Sequence, residues 1–128
     1  MHALSSYDYA LIRVVPRVER GECLNVGVLL FCRTQDFLGV RIHLDPTRIL
    51  TLAPDLDLAA VQQQLDAIVH ICKGEEEAGP LGHMSQSERF HWLVSPRSTV
   101  IQTTPVHVGL CSDPEVALES LFKTMVYG

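Results

Sequence analysis

The sequence lacks the features that direct a chain into or across a membrane. Its first residues contain no basic stretch followed by a continuous apolar core, so we expect no signal peptide. Its longest apolar runs are far shorter than the roughly 18 residues that a membrane-spanning helix requires. The sequence therefore predicts a cytoplasmic protein that has no membrane partner.

Motifs that mark common catalytic and cofactor sites are also missing. There is no phosphate-binding glycine loop, no kinase signature and no nucleophile elbow. A thiol nucleophile would need a neighbouring base, and no spacing in the sequence supplies one for Cys23. We therefore assign no catalytic residue and no cofactor, although this leaves open whether the protein is an enzyme.

Metal-binding spacings are absent too. The cysteines lie too far apart for a zinc knuckle and are expected to be free thiols: Cys23, Cys32, Cys72 and Cys111. A cluster built from His70, Cys72, His83 and His91 can be imagined. However, His70 and Cys72 are two residues apart and would point in different directions on a helix. We therefore predict no metal site.

What the sequence does contain is typical of one folded domain covering residues 1–128. It has 47% hydrophobic and 20% charged residues, which is the composition of a globular protein. The net charge is −5, which is the sum of +1 for residues 1–48 and −6 for residues 49–128. Because binding to a nucleic-acid backbone needs a basic face, a nucleic-acid partner is not expected.

The first part of the chain predicts an antiparallel meander. Three runs of strand length follow one another with short connections: Tyr7–Val15, Val26–Cys32 and Phe37–Leu44. The second run is continuously apolar, which is typical of a central strand covered on both faces. Pro16 ends the first strand or marks an edge, and Gly27 indicates a bulge or the close approach of another backbone.

Helical patterns dominate the rest of the chain. After a helical turn capped by Asp45, an amphipathic helix is predicted from about Asp57 to Lys73, and an exposed acidic loop should follow it. The motifs "SQSE" and "SDPE" resemble capping boxes that open two further helices, of which the second runs through Tyr127. Between these helices, Pro105 splits one or two strands.

These patterns together predict an α+β fold. It consists of an antiparallel sheet, made of the three-stranded meander plus one or two later strands, with two main helices packed on it.

The stretch "RVVPRVERGECLNVGVLLFC" holds the candidate binding residues. They cluster around one turn: Arg13, Arg17, Arg20, Glu22 and Asn25. One interpretation is a site for a ligand or partner, in which Arg13 and Arg20 bind an anion and Glu22 orients a guanidinium. The other is a hairpin tip with exposed Arg–Glu pairs, each worth about 0–1 kcal/mol. Asn25 precedes a buried run, so its amide needs partners, and closing the turn would supply them.

The same stretch resembles the opening of the bacterial domain-of-unknown-function family 3037. The matching residues are Tyr7, Tyr9, Arg13, Pro16, Arg20, Gly21, Glu22, Asn25, Val26, Gly27 and Val28. Cys23 departs from the pattern, since an apolar or aromatic residue is expected there. The resemblance implies a small stand-alone bacterial protein whose gene neighbours encode HipA-type kinases, and hence a companion or regulator of such a kinase.

Three functions remain open at this level. The first is a non-catalytic module that binds a protein partner through the charged loop and the rim of the sheet. The alternative is an enzyme or binding protein for a phosphorylated or carboxylated small molecule, which requires Arg13, Arg20, Glu22 and Asn25 to line a pocket. A nucleic-acid-associated protein would require a basic face within the acidic chain. The oligomeric state stays undetermined.

Overall fold

The computed structural model describes residues 3–17, 22–96 and 100–127, with the side chain of Arg17 excluded. Its strands are β1 (Ser5–Arg17), β2 (Glu22–Cys32), β3 (Phe37–Ile42), β4 (Ile101–Thr103) and β5 (His107–Cys111). Its α-helices are α1 (Pro46–Leu52), α2 (Leu58–Lys73), α3 (Gln86–Leu93) and α4 (Pro114–Phe122). A 3₁₀ segment (Glu76–His83) follows α2, and a π-helical turn (Lys123–Tyr127) follows α4. None of the described helices is both long and apolar enough to cross a bilayer.

All strand pairs in the sheet are antiparallel, and the predicted meander of β1, β2 and β3 is confirmed. The sheet order is β3-β2-β1-β4, and β5 also pairs with β1. Since β2 occupies one side of β1, β4 and β5 share its other side. They lie end to end, with β4 against Ile12–Val14 and β5 against Ser5–Tyr9.

At the break between β4 and β5, Thr104 forms two hydrogen bonds to β1. Pro105 has no backbone N–H, so the ladder with β1 cannot continue through it. Thr104 bridges the gap, because its backbone N–H donates to the Leu11 carbonyl (3.0 Å) and its Oγ1 accepts from the Leu11 N–H (2.9 Å). The hydroxyl group thus replaces a backbone acceptor, and the predicted split at Pro105 is confirmed.

Helices cover both faces of the sheet. On one face, Ile12 and Val14 of β1 belong to a core cluster with Leu65 of α2 and Phe90 of α3. On the other face, Leu11 of β1 belongs to a cluster with residues of β2, with Leu118 of α4 and with the π-helical turn. The fold is therefore α+β, and its two main helices, α2 and α4, pack on opposite faces.

The helix ends follow the predicted capping chemistry with two corrections. Asp57 caps α2, Gly74 ends it in a left-handed conformation, and Ser85 forms a capping box with Glu88. The cap of α4 is Asp113 rather than Ser112, and the regular α-helix stops at Phe122 before the π-helical turn. The predicted acidic loop after α2 is a 3₁₀ segment.

Replacement of Thr104 by valine tests the bridge between β4 and β5. Valine keeps the shape but leaves the buried Leu11 N–H without its acceptor, so the free energy of unfolding should fall by about 1–3 kcal/mol. Urea denaturation measures the change. Thr103→Val is the matched control, because no hydrogen bond of the Thr103 side chain occurs within the described residues. Equal stability of the two variants would contradict the assigned role.

Candidate functional site

The charged hairpin is shaped by a β-bulge in β2. Ile12 pairs with Gly27, but the next residue, Arg13, pairs with Asn25, so Val26 is an extra residue. The bulge reverses the alternation of side chains along β2. Val26 therefore joins the core beneath α2 and α3, and Asn25 comes to the α4 face, where it contacts the π-helical turn.

Gly27 lets the strands approach closely at this bulge. A Cβ atom at this position would lie 2.7 Å from the carbonyl oxygen of Arg41 on β3. Such a contact is too short for any other residue without a shift of the backbone. Both features that the sequence indicated at Gly27, a bulge and a close backbone approach, are present.

Asn25 connects the hairpin to the C-terminal segment. Arg13 Nε donates to Asn25 Oδ1 (3.0 Å), and Asn25 Nδ2 donates to the carbonyl of Met125 (3.3 Å). One half-buried amide therefore binds both the neighbouring strand and a carbonyl 100 residues later in the chain. We expected Asn25 to bind the backbone of the turn, but residues 18–21 of that turn lie outside the described part of the structure.

The structure brings together two of the five predicted binding residues, Arg13 and Asn25. Glu22 pairs in register with Arg17 beyond a second register shift in β1, which includes Pro16. The side chain of Arg17 and the whole of Arg20 lie outside the described residues.

The guanidinium of Arg13 has donors that are not bonded within the described residues. Within the described residues its Nε is hydrogen-bonded to Asn25, and its two terminal nitrogens make no hydrogen bond. The side chain is half-buried and held from one side by Asn25. Arg13 could therefore donate two parallel bonds to a carboxylate or phosphate at the surface.

Five well-formed cavities lie among the described residues, and Arg13 lines none of them. These five are lined by other residues, and neither Arg13, Glu22 nor Asn25 belongs to any of them.

The largest of the five cavities is a groove beside α4. It has a volume of about 480 Å³, and its apolar lining includes Leu4, Leu110, Val116 and Ala117. We define the edge patch as Leu4, Val108, Leu110 and Val116. These side chains are 65%, 69%, 66% and 63% exposed, respectively. The sequence predicted a strand near Val108 but gave no sign that this strand lies uncovered at the edge of the sheet.

The cysteines show no sign of nucleophilic activation. Cys23 is exposed and lines a shallow pocket with residues of β2 and α1 that include no histidine. Burial raises the pKa of the Cys72 thiol to about 12, against a weaker opposing effect of Arg89. Burial also raises the pKa of Cys111. A thiol whose pKa is raised stays protonated and unreactive at neutral pH.

Metal-ligating side chains meet at one place in the described residues, where His70, Glu75 and Glu77 lie together. The other candidates from the sequence, Cys72, His83 and His91, are not part of this group.

The fold and these sites define the protein as a small α+β domain with helices on both faces of an antiparallel sheet and an exposed apolar edge. The chain belongs to the family described as "Protein of unknown function (DUF3037)", whose model matches residues 9–126. No curated protein and no solved structure matches the chain.

Removal of the Asn25 amide should destabilise the fold. Asn25→Ala breaks the bonds to Arg13 and Met125, and we expect a loss of about 1–3 kcal/mol and a melting temperature several degrees lower. Gln63→Ala is the control, since it removes an exposed amide that has no hydrogen bond within the described residues. If Asn25→Ala melts like the wild type, the link between hairpin and C-terminal segment contributes nothing to stability.

Thiol titration tests the burial of the cysteines. With Ellman's reagent at pH 8, the native protein should expose one fast-reacting thiol, that of Cys23, because the other three cysteines are buried. All four should react in denaturant. Cys23→Ser should remove the fast phase, and a fast phase that survives would show that a buried cysteine is accessible.

Proposed function

We propose that this protein is a non-catalytic interaction module that binds an extended segment of a partner protein along β5. The observation that carries this proposal is the exposure of Val108 and Leu110, 69% and 66%, on a strand that, among the described residues, pairs on one side only. Large exposed apolar residues that lie together mark surfaces used for binding.

The backbone of β5 supports this mode of binding. Within the described residues β5 pairs with β1 alone, so its outer N–H and C=O groups can accept another strand. Proteins normally protect such edges with charged residues. From His107 to Cys111, however, β5 contains no Lys, Arg, Asp or Glu.

The groove beside α4 could hold a side chain of the added segment. Leu110 belongs both to β5 and to the lining of this groove, together with Leu4 and Val116. Main-chain bonds along a strand give affinity, and pockets for alternate side chains give specificity. The outer edge of β5 could thus supply main-chain hydrogen bonds, and the groove that Leu110 lines could supply a side-chain pocket beside it.

Charge around the edge patch indicates the chemistry of the partner. Asp8 pairs in register with Val108, and Asp113 lines the groove with Leu110. Neither β4 nor β5 carries a Lys or Arg. The best fit is therefore a segment in which apolar residues alternate with Lys or Arg. A second copy of this chain fits less well, because it would bring like charges together.

A HipA-type kinase, to which the family resemblance points, is the first partner to test. Arg13 lies in β1 where β4 pairs with it, and could bind an acidic residue of the partner beyond the end of β5. The five cavities described above do not include Arg13, so they give no support to a small-molecule substrate at that residue.

Lysine substitutions on β5 test the proposal. We expect Val108→Lys and Leu110→Lys to weaken capture of the partner at least tenfold in a tagged pull-down at physiological salt, because they add charge to the edge and remove apolar area. Leu50→Lys makes the same chemical change at an exposed leucine of α1 and should leave binding intact. Melting temperatures of all variants exclude unfolding as the cause.

Hydrogen exchange on the purified complex then locates the contact. The amides of residues 107–111 should exchange more slowly when the partner is bound. Binding that survives both lysine variants would place the interface elsewhere. Loss of a homodimer, measured by light scattering, would identify a second copy as the occupant and overturn the proposed partner class.

A further inference from the structure

A histidine and two glutamates converge where α2 ends. One ligand atom from each of His70, Glu75 and Glu77 lies within 4.8 Å of the others. We propose that these three side chains bind a divalent transition-metal ion, with Zn²⁺ as the best fit. The site is separate from β5, and the proposal does not depend on the proposed interaction function.

The backbone fixes the positions of all three residues. Gly74 adopts a left-handed conformation (φ 69°, ψ 34°) that reverses the chain at the end of α2. The Glu75 N–H then donates to the His70 carbonyl at 3.0 Å, which places Glu75 beside the last helical turn. The following 3₁₀ turn is closed by the bond from the Ala78 N–H to the Glu75 carbonyl (3.0 Å) and positions Glu77. The cluster is therefore a product of ordered turns.

The imidazole ring of His70 has a nitrogen atom that is not hydrogen-bonded within the described residues. Its Nδ1 atom is buried and has no hydrogen-bond partner within the described residues. Buried polar atoms in proteins are normally paired. The nearest carboxylate oxygen, Glu75 Oε2, lies 3.5 Å away, at the limit of hydrogen-bond distance and outside acceptable geometry.

That distance suits a shared metal ion. Zn²⁺ binds imidazole nitrogen and carboxylate oxygen at about 2.0–2.2 Å in a tetrahedral arrangement, which places two ligand atoms about 3.3–3.6 Å apart. His70 Nδ1 and Glu75 Oε2, at 3.5 Å, match this separation, and the ligand oxygen of Glu77 lies within 4.8 Å, so a rotation of its exposed side chain would complete the site. An ion placed between them would satisfy the buried nitrogen, which the direct contact does not.

The chemistry of the three ligands narrows the choice of metal. Imidazole favours Zn²⁺ and its transition-metal neighbours over Mg²⁺ and Ca²⁺, and two carboxylates balance the charge of a dication. Three protein ligands leave a fourth tetrahedral position for water. His70 and Glu77 also line an open cavity of about 390 Å³ together with Gln63 and Asp66, which gives this position access to solvent.

Titration of the whole chain with Zn²⁺ tests the site. The protein is first stripped with EDTA and carries Cys23→Ser, so that the exposed thiol cannot bind the ion. Calorimetry should then show one saturable Zn²⁺ site per chain, and Zn²⁺ should raise the melting temperature. His70→Gln, Glu75→Gln and Glu77→Gln should each weaken binding at least tenfold.

Glu76→Gln is the matched control. It removes the same charge from the same acidic run at an exposed residue outside the cluster, so binding should stay within twofold of the parent. Glu77 is exposed as well, so Glu77→Gln separates loss of a ligand from loss of the fold. In histidine ¹⁵N spectra, the His70 Nδ1 resonance should move on addition of one equivalent of Zn²⁺.

Three results would overturn the proposal. The first is the absence of saturable binding, which would reduce the His70–Glu75 contact to an ion pair. The second is unchanged affinity in His70→Gln. The third is an equal loss in Glu76→Gln and Glu77→Gln, which would show that only the negative charge of the segment attracts the ion.

Discussion

Burial of β2 on both faces is the constraint on which the rest of the structure depends. Every residue from Val26 to Cys32 is buried, with Leu29 and Phe31 beneath α2 and α3 and with Val28 and Leu30 beneath α4. Such a strand leaves no room for polar side chains within the run and requires a helical layer on each side. Polar groups of β2 are therefore confined to its ends, and the charged hairpin lies at one of them.

Because of the bulge at Val26, Asn25 can bind both Arg13 in β1 and Met125 near the end of the chain. Strict alternation would place Asn25 on the same face as Leu29 and Phe31, beneath the larger core, where an amide would be costly. The extra residue sends Val26 into that core instead and presents Asn25 to Arg13 and to the C-terminal segment. The charged residues and Asn25 can therefore lie beside the apolar run of β2, because the bulge turns the Asn25 amide toward Arg13 and Met125.

Sequence patterns predicted the features that depend on neighbouring residues. The meander, the limits of α2 and the break at Pro105 follow from local periodicity, caps and the missing proline N–H. The contacts that define the sites depend on tertiary structure. Asn25 meets a carbonyl 100 residues away, and the exposure of Val108 depends on which strands cover the sheet. The acidic run after α2 looked like a solvated loop, because a sequence does not show that its turns fold back onto His70.

The edge patch and the cluster at His70 differ from most folded structures in two ways. The edge patch exposes large apolar side chains, and the cluster contains a buried polar atom that is not hydrogen-bonded within the described residues. A short strand such as β5 limits uncontrolled pairing by its length and by Pro105 two residues before it, so it can keep exposed apolar residues with less risk of aggregation. Side chains as exposed as those of Val108 and Leu110 bury little apolar area, so they contribute little to folding. At His70 the difference is a buried ring nitrogen that has no hydrogen-bond partner within the described residues. The two sites lie on different elements, β5 and the end of α2, so an ion bound at the α2 end would not occupy the surface that we propose for a partner.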